Sequence, residues 1–322
     1  MQTLKMLSEI IGVSGYEESV SAIIEELLSK KGDISIKKDR MGNLICNKPG
    51  DNSLPKIMII AHMDEVGFQV MEVDESGNAT LKTLGNIKTW NVLNQCLSTS
   101  DEKKTGIVIC DEPEGIKPYE FEKIRLLPTK GNLQIGDVFG FKSHFIETEK
   151  QFVGKAIDNR LSCYLLYDFL SSGINNKASI DFVFTVQEEI GMRGARVAIT
   201  ELMPDIIIDL DTSPVGERNS LKLGQGVGIK LSDSIGVSDQ TLVSLLEKIA
   251  IEKNIPFQRE VSDCGTSELI ITNEHDTGAR RVGISIPCQN IHTAMTIANK
   301  SDFASCKLLV RSFLEMDFSI DI

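Results

Sequence analysis

The segment "SIDFVFTVQEEIGMRGA", residues 179–195, decides the fold class of this chain. Its first half is an apolar run of the kind that is buried on both faces of a sheet. A Gly-containing turn follows, and residues 194–202 then show a helical pattern. Glu188 and Glu189 stand at the junction, where a strand of an α/β sheet ends and where such sheets bind ligands.

The alternation of strand and helix continues on both sides of this segment. Further helices are predicted over residues 159–171, 238–253 and 302–315, and further strands over 205–210, 226–231, 257–261 and 282–286. Residues 14–31 predict an amphipathic helix that starts with Ser14 and Glu17 at capping-box spacing. The apolar start of residues 56–68 predicts another buried strand. Together these patterns predict an α/β fold with a mixed central sheet and helices on both faces.

Residues 67–152 have a different pattern. They form short alternating segments that are broken by Gly, Asn, Asp and Pro, without a convincing helix. This pattern predicts a small all-β domain of barrel type. We therefore expect one α/β domain made of residues 1–66 and 153–322, with residues 67–152 inserted into it.

Composition excludes several classes of function. The chain has 322 residues, 46 acidic and 34 basic, and a formal net charge of -12, so it has no basic excess with which to bind nucleic acid. No run approaches the ~20 apolar residues of a membrane span, and no membrane partner is expected. The seven cysteines include no C-x-x-C pair and predict reduced, buried thiols in a cytoplasmic protein.

Acidic and histidine side chains stand where predicted strands give way to loops, or just before a helix. They are His62, Asp64, Asp158, Glu188, Glu189, Asp209, Asp211 and His292. Each also has a plain structural explanation. His62 could be a hydrogen-bonded histidine at a strand end, Asp158 a helix N-cap, and Glu188 and Glu189 a solvated pair. Asp209 and Asp211 could simply begin a loop, and His292 could be an isolated surface histidine. The remaining histidines, His144 and His275, are interpreted as structural.

Taken as a set, these residues favour a metal site. His62 and Asp64 are two apart in an extended segment, so both point to one side and Asp64 can orient the imidazole. Two histidines and three carboxylates match the ligand count of a site for two divalent metal ions, and nitrogen and oxygen ligands suit Zn²⁺, Co²⁺ or Mn²⁺. One carboxylate of the Glu188–Glu189 pair would then remain to act as general base toward a metal-activated water.

The segments "AHMDEVGF", "GKAIDNR" and "QEEIGMRGA" resemble the tetrahedral dinuclear metallo-aminopeptidases. This family includes glutamyl aminopeptidases and deblocking aminopeptidases that were once described as endoglucanases. The resemblance extends over nearly the whole chain. It implies a zinc-peptidase-like fold, hydrolysis of N-terminal residues from short peptides, and an inserted β domain that dimerises, with six dimers forming a dodecamer. By position it implies that the metal ligands are His62, Asp158, Glu189, Asp211 and His292, and that Glu188 is the base.

Three segments depart from the family pattern. The segment "DLDTSP" leaves Asp209 as an alternative ligand to Asp211. In "DCGTSE", Ser267 stands where the family has an aspartate. Gln289 and Asn290 precede the final histidine in place of the usual residues. The last two changes are expected to border the substrate pocket, so the substrate preference of the family cannot be carried over.

Two alternatives therefore stay open. A dinuclear carboxypeptidase or amide deacylase would use similar ligands but would need a positive group for a substrate carboxylate. A non-catalytic assembly protein could retain the fold. Arg218, Arg280 and Arg281 are candidate contacts for acidic substrates and are interpreted here as solvated surface charges.

Overall fold

The computed structural model describes residues 1–30, 34–110, 114–216, 218–269 and 278–318. Its helices in these ranges are α1 Gln2–Glu9, α2 Glu18–Leu28, α3 Ile157–Ser172, α4 Arg193–Leu202, α5 Gln240–Glu252 and α6 Lys300–Leu314. Its strands are β1 Ser35–Lys38, β2 Leu44–Lys48, β3 Ile57–His62, β4 Gly67–Val73, β5 Ala79–Leu84, β6 Cys96–Ser98, β7 Thr105–Cys110, β8 Ile124–Lys130, β9 Val138–Phe141, β10 Ile146–Glu147, β11 Gln151–Gly154, β12 Ile180–Thr185, β13 Ile206–Pro214, β14 Val227–Ser232, β15 Phe257–Val261, β16 Arg280–Gln289 and β17 Thr296–Asn299.

A mixed sheet of 11 strands forms the centre of the molecule, in the order β1-β2-β12-β3-β13-β16-β17-β11-β10, with β14 and β15 joined through β16. Strand β3 lies between β12 and β13 and runs parallel to both. All six residues of β3 and all six of β12 are buried, as expected for strands covered on both faces.

Helices cover both faces of this sheet. Alternate residues of β3 pack into different apolar clusters: Ile57 and Ile59 into the larger one, Met58 and Ile60 into the smaller. The larger cluster contains side chains of α1, α2, α3, α5 and α6, and the smaller one those of α4. Because successive strand residues point to opposite faces, the two clusters lie on opposite sides of the sheet. The predicted α/β class is confirmed.

A separate closed barrel is formed by β4, β5, β8, β7, β6 and β9. It has its own apolar core, which includes Phe68, Val70, Leu97, Val108 and Phe139. The small inserted all-β unit is thus present. Strands β10 and β11, which follow it in the chain, pair within the large sheet.

The N-terminal region differs in detail from the prediction. Helix α1 was not predicted, although its Leu4 and Leu7 are fully buried. The capping box at the start of α2 is not formed, because the Ser14 hydroxyl donates to a carboxylate oxygen of Asp64 at 2.6 Å. The Glu17 carboxylate instead accepts hydrogen bonds from the backbone N–H groups of Gly15 and Gln187. Both polar side chains serve tertiary contacts that local spacing does not reveal.

All seven cysteines are free thiols. Cys46, Cys163, Cys288 and Cys306 are buried, whereas Cys96 is exposed, so the prediction that the thiols are buried is wrong for Cys96. In the described ranges we find no helix with both the length and the apolar character needed to cross a membrane.

Candidate metal centre

Three neighbouring parallel strands bring His62, Asp211 and the turn that carries Glu188 and Glu189 to one edge of the sheet. His62 is the last residue of β3 and is paired in register with Thr185 at the end of β12. On the other side of β3, Ile60 is paired with Asp209 of β13. Asp211 is two residues further along β13 and therefore lies level with His62 on the same face.

The turn after β12 is held by hydrogen bonds that fix both glutamates. The backbone N–H groups of Glu188 and Glu189 donate to the two carboxylate oxygens of Asp64, at 2.9 and 3.1 Å. The N–H of Gly194 donates to the carbonyl of Val186 at 3.0 Å. A Cβ atom at Gly194 would lie 2.5 Å from that carbonyl oxygen. Only glycine therefore allows the backbone at residue 194 to pass this close to Val186.

Asp158 lies in the first turn of α3, where Asp158 and Asn159 have non-helical backbone angles and are joined by a cis peptide bond. The N-cap position of α3 is Ala156, which makes no side-chain cap hydrogen bond. The Asn159 side-chain amide donates to the carbonyl of Leu210 at 2.9 Å, which links α3 to β13. The Asp158 carboxylate points instead toward the two histidines of the cluster.

The two oxygens of Asp158 face two different groups of side chains. Its Oδ1 lies 3.3 Å from His62 Nε2, and Asp211 Oδ1 lies 3.5 Å from that same nitrogen. Its Oδ2 lies 3.3 Å from His292 Nε2, and Glu189 Oε2 lies 3.2 Å from that nitrogen. The ligand atoms within each group of three are all within 4.8 Å of one another. We call these groups the His62 triad and the His292 triad, and they share Asp158.

The structure also distinguishes the proposed ligands from the neighbouring acids Asp209 and Glu188. Asp209 belongs to neither triad, and its Oδ2 accepts a hydrogen bond from the backbone of Leu269 at 2.9 Å. Glu188 also lies outside both triads, with its Oε2 3.9 Å from His62 Nε2. A third possible ligand group, made of His62, Glu188 and Glu189, overlaps the two triads. Glu188 thus borders the cluster on the side of His62.

The Nδ1 atom of each imidazole, which faces away from the triads, also lies close to an oxygen atom. His62 Nδ1 lies 3.2 Å from the backbone carbonyl oxygen of Asp64 and 3.4 Å from its carboxylate Oδ1, which is the predicted contact with Asp64. His292 Nδ1 lies 2.7 Å from the carbonyl oxygen of Asn86, in the loop after β5. The contact with Asn86 was not predicted, because a backbone carbonyl leaves no side-chain signature in the sequence. Such contacts fix the orientation of histidines that bind metals.

Burial and close charges shift the pKa values of the cluster. Burial lowers the pKa of His62, but the carboxylates of Asp158, Asp211 and Asp64 outweigh it and hold this pKa well above its ordinary value. The pKa of His292 is likewise raised well above its ordinary value, since Glu189 and Asp158 outweigh burial.

The pKa values of the two glutamates in the turn are both raised. Burial raises the pKa of Glu188 well above its ordinary value and also raises that of Glu189, against the opposing effect of the histidines. The pKa of Asp158 is lowered, since hydrogen bonds from His292 and His62 outweigh its burial. The two histidines lie among four carboxyl groups, those of Asp158, Glu188, Glu189 and Asp211, as expected of residues that bind cations.

A cavity of about 430 Å³ opens from this cluster. Its wall also contains Ser213, Arg218, Lys230, Asp233 and Ser267. Ser267, one of the departures from the family pattern, donates its hydroxyl and its backbone N–H to Asp233. The side chain of Arg218 is 66% exposed and pairs with Asp263, as predicted for a surface charge, although it also borders the cavity.

The other two histidines do not join the cluster as far as the structure describes them. The His144 side chain is 91% exposed, with its Nδ1 3.7 Å from Glu9 Oε1. His275 lies outside the described residues. Arg280 and Arg281 stand at the start of β16, at the end of the strand opposite to the metal centre.

The chain is similar to known aminopeptidases over nearly its whole length. A model of the family described as M42 glutamyl aminopeptidase matches residues 42–125 and 129–309. A protein of Acetivibrio thermocellus that carries an aminopeptidase name is 32% identical over 96% of this chain and 97% of its own. A lysyl aminopeptidase of Pyrococcus furiosus is 26% identical over 99% of each chain. The structure of the Pyrococcus horikoshii TET1 peptidase, described as assembling into a tetrahedron or a large octahedral shell, superposes with a TM-score of 0.87 over 97% of this chain and 98% of that one, at 21% identity.

Proposed function

Because the chain belongs to the M42 glutamyl aminopeptidase family, we propose that it removes N-terminal residues from short peptides by means of two divalent metal ions bound at the two triads. The observation that carries this proposal is the position of Asp158, whose two oxygens face the two triads. One shared carboxylate with one histidine and one further carboxylate on each side is a ligand set for two adjacent cations.

The proposed ligands are His62, Asp158 and Asp211 on one side, and Asp158, Glu189 and His292 on the other. Two cations such as Zn²⁺, Co²⁺ or Mn²⁺, when bound, would lower the pKa of a water and polarise the scissile carbonyl group. Glu188 is left as general base, because it borders the cluster without belonging to either triad. Its carboxylate takes a proton from the water and passes it to the leaving amine. Asp64 positions both His62 and the backbone of Glu188.

The activity is tested with a panel of aminoacyl p-nitroanilides and their N-acetylated counterparts. We expect metal-reconstituted protein to hydrolyse substrates that have a free amine and to leave the acetylated ones intact. A chelator should abolish the activity, and Zn²⁺, Co²⁺ or Mn²⁺ should restore it. Cleavage of N-acetylated substrates, or release of C-terminal residues from peptides, would instead identify a deacylase or a carboxypeptidase.

Metal binding is expected to release protons at pH 7. The pKa values of His62 and His292 are raised in the metal-free protein, so both imidazoles carry a proton that must leave before the nitrogen can bind a cation. Apparent affinity should therefore rise with pH over the range below these pKa values, roughly tenfold per pH unit for each proton released. Calorimetric titration with Zn²⁺ in buffers of different ionisation enthalpy counts the protons.

The exposed His144 offers a matched control for this experiment. His144→Asn removes a histidine outside the cluster and should leave the proton count unchanged, whereas His292→Asn should lower it. Affinity that is the same from pH 6 to pH 8 would show that the two imidazoles are not ligands.

Assembly and location are further parts of the proposal. We propose residues 1–66 and 153–322 as the metal-binding domain and residues 67–152 as an inserted dimerisation domain. The described assemblies of the Pyrococcus horikoshii peptidase support a homo-oligomer, and we propose a dodecamer of six dimers. A reducing cytoplasm would keep the seven free thiols reduced, and we propose that compartment.

A further inference from the structure

A buried acid at the start of α2 contacts the turn that carries Glu188. Glu17 is 5% exposed. Its Oε1 accepts a hydrogen bond from the backbone N–H of Gln187 at 3.0 Å and another from that of Gly15 at 2.8 Å. Gln187 directly precedes the proposed base. Glu17 belongs to neither triad and does not line the 430 Å³ cavity, so it reaches the site through this backbone contact.

Two acids together hold three consecutive N–H groups of this turn. The N–H of Gln187 donates to Glu17. The next two N–H groups, those of Glu188 and Glu189, donate to the carboxylate of Asp64. Successive backbone N–H groups that point the same way form a concave site for anions. These bonds fix the backbone of the turn, and thereby the direction in which its two glutamate side chains leave it.

Gln187 has a backbone conformation that needs a restraint. Its φ is +57°, in the left-handed region that residues other than glycine rarely adopt. The chain changes direction here, and the carbonyl of Gln187 accepts a hydrogen bond from the N–H of Arg193 at 3.1 Å. Without the bond to Glu17, Gln187 could return to a more favourable φ. That rotation would turn Glu188, the next residue, away from its present direction.

Helix α2 does not need the Glu17 carboxylate. Glu17 occupies the N-cap position of this helix, yet its side chain makes no cap hydrogen bond. The neighbouring Glu18 is exposed and supplies the acidic charge of the first helical turn. The tertiary contact with Gln187 therefore explains why an acid is buried at the start of α2.

We propose that Glu17 is a positioning residue: by holding the N–H of Gln187, it keeps the carboxylate of Glu188 in the direction from which it takes a proton from water. This inference rests on the proposed aminopeptidase function. Glu17 touches neither the substrate nor a metal ion in this scheme, and its effect on catalysis passes through the backbone of Gln187.

The first test removes the acceptor. Glu17→Ala should lower kcat about 100-fold, the size expected when a reacting group is displaced by about 1 Å. KM should change by less than about threefold, as for a residue that acts on the chemical step rather than on substrate binding. Both metal ions should remain bound, because Glu17 makes no hydrogen bond to a proposed ligand. Steady-state kinetics on leucyl p-nitroanilide and metal analysis of the same sample measure these effects.

Two conservative variants separate the reach of the side chain from its charge. Glu17→Gln keeps a carbonyl oxygen at the same reach and should retain kcat within about tenfold, since a neutral acceptor forms a weaker hydrogen bond than a charged one. Burial and the nearby Asp64 raise the pKa of Glu17 to about 7, so near neutral pH the amide is also a close match for the protonated acid. Glu17→Asp keeps the acid but is one methylene group shorter, and its kcat should fall well below that of Glu17→Gln. Glu18→Ala changes the exposed neighbour and should leave kcat unchanged.

Three results would overturn the proposal. A Glu17→Ala variant with wild-type kcat and a lower melting temperature would show that Glu17 only stabilises the fold. A Glu17→Asp variant that is more active than Glu17→Gln would show that Glu17 acts through its charge. Loss of metal from Glu17→Ala would show that the contact supports ligand binding rather than the base.

Hydrogen exchange keeps the proposal testable if Glu17→Ala does not fold or if no substrate is hydrolysed. Exchange in peptides that cover residues 186–192 should be faster in Glu17→Asp than in the wild-type protein, because the N–H of Gln187 has lost its acceptor. Helix α5 should exchange equally in both. Absence of all hydrolysis by the wild-type protein would sink the proposed function alone, whereas equal exchange in the turn would sink the Glu17 assignment alone.

Discussion

Glu188→Gln is expected to lower kcat about 10³-fold while the protein keeps its bound metal ions. Glutamine has nearly the shape of glutamate but cannot accept a proton from water, and loss of a general base typically costs 10²–10⁴-fold. Glu188 lies outside both triads, so its replacement removes no proposed ligand. Steady-state kinetics on an aminoacyl p-nitroanilide and metal analysis of the same sample would measure the two effects separately.

The adjacent glutamate provides the matched control. Glu189→Gln changes the same chemical group one residue away, but Glu189 Oε2 lies 3.2 Å from His292 Nε2 within a triad. This variant should lose metal from the His292 triad as well as activity. If Glu188→Gln retains near wild-type kcat, Glu188 is not the base; if it loses metal as Glu189→Gln does, Glu188 is a ligand.

Most of the fold could be predicted because the decisive signals are local. The apolar runs of β3 and β12 are buried on both faces, and the helical pattern after Gly194 corresponds to α4. The prediction was wrong at the start of α2, where Ser14 and Glu17 have capping-box spacing but bond to Asp64 and Gln187. Local spacing shows which bonds a side chain can make, and tertiary contacts decide which of them it does make.

Only the side chains of the candidate site could be predicted from the sequence; its backbone contacts could not. The motifs around His62 and Glu188 carry a recognisable pattern, and strand register then brings Asp211 rather than Asp209 beside His62. The carbonyl of Asn86, which lies 206 residues from His292, has no sequence signal.

Asp158→Asn is expected to reduce metal content from two ions to at most one and to lower kcat/KM at least as far as Glu188→Gln does. Asparagine is as good an N-cap as aspartate, so a residue that served only as a cap would tolerate this change. A shared ligand would not tolerate it, because the amide offers one neutral oxygen in place of two charged ones. The substitution therefore separates the two interpretations of Asp158 with almost no change in size.

Asp211→Asn completes the comparison, since Asp211 belongs to the His62 triad and not to the His292 triad. Metal titration should then show that the His292 triad still binds one ion, whereas Asp158→Asn weakens both sites together. Thermal unfolding of the metal-free variants checks that neither change disrupts the fold. One ion bound as tightly in Asp158→Asn as in Asp211→Asn would contradict a shared role for Asp158, and with it the arrangement of two adjacent cations on which the proposed hydrolysis depends.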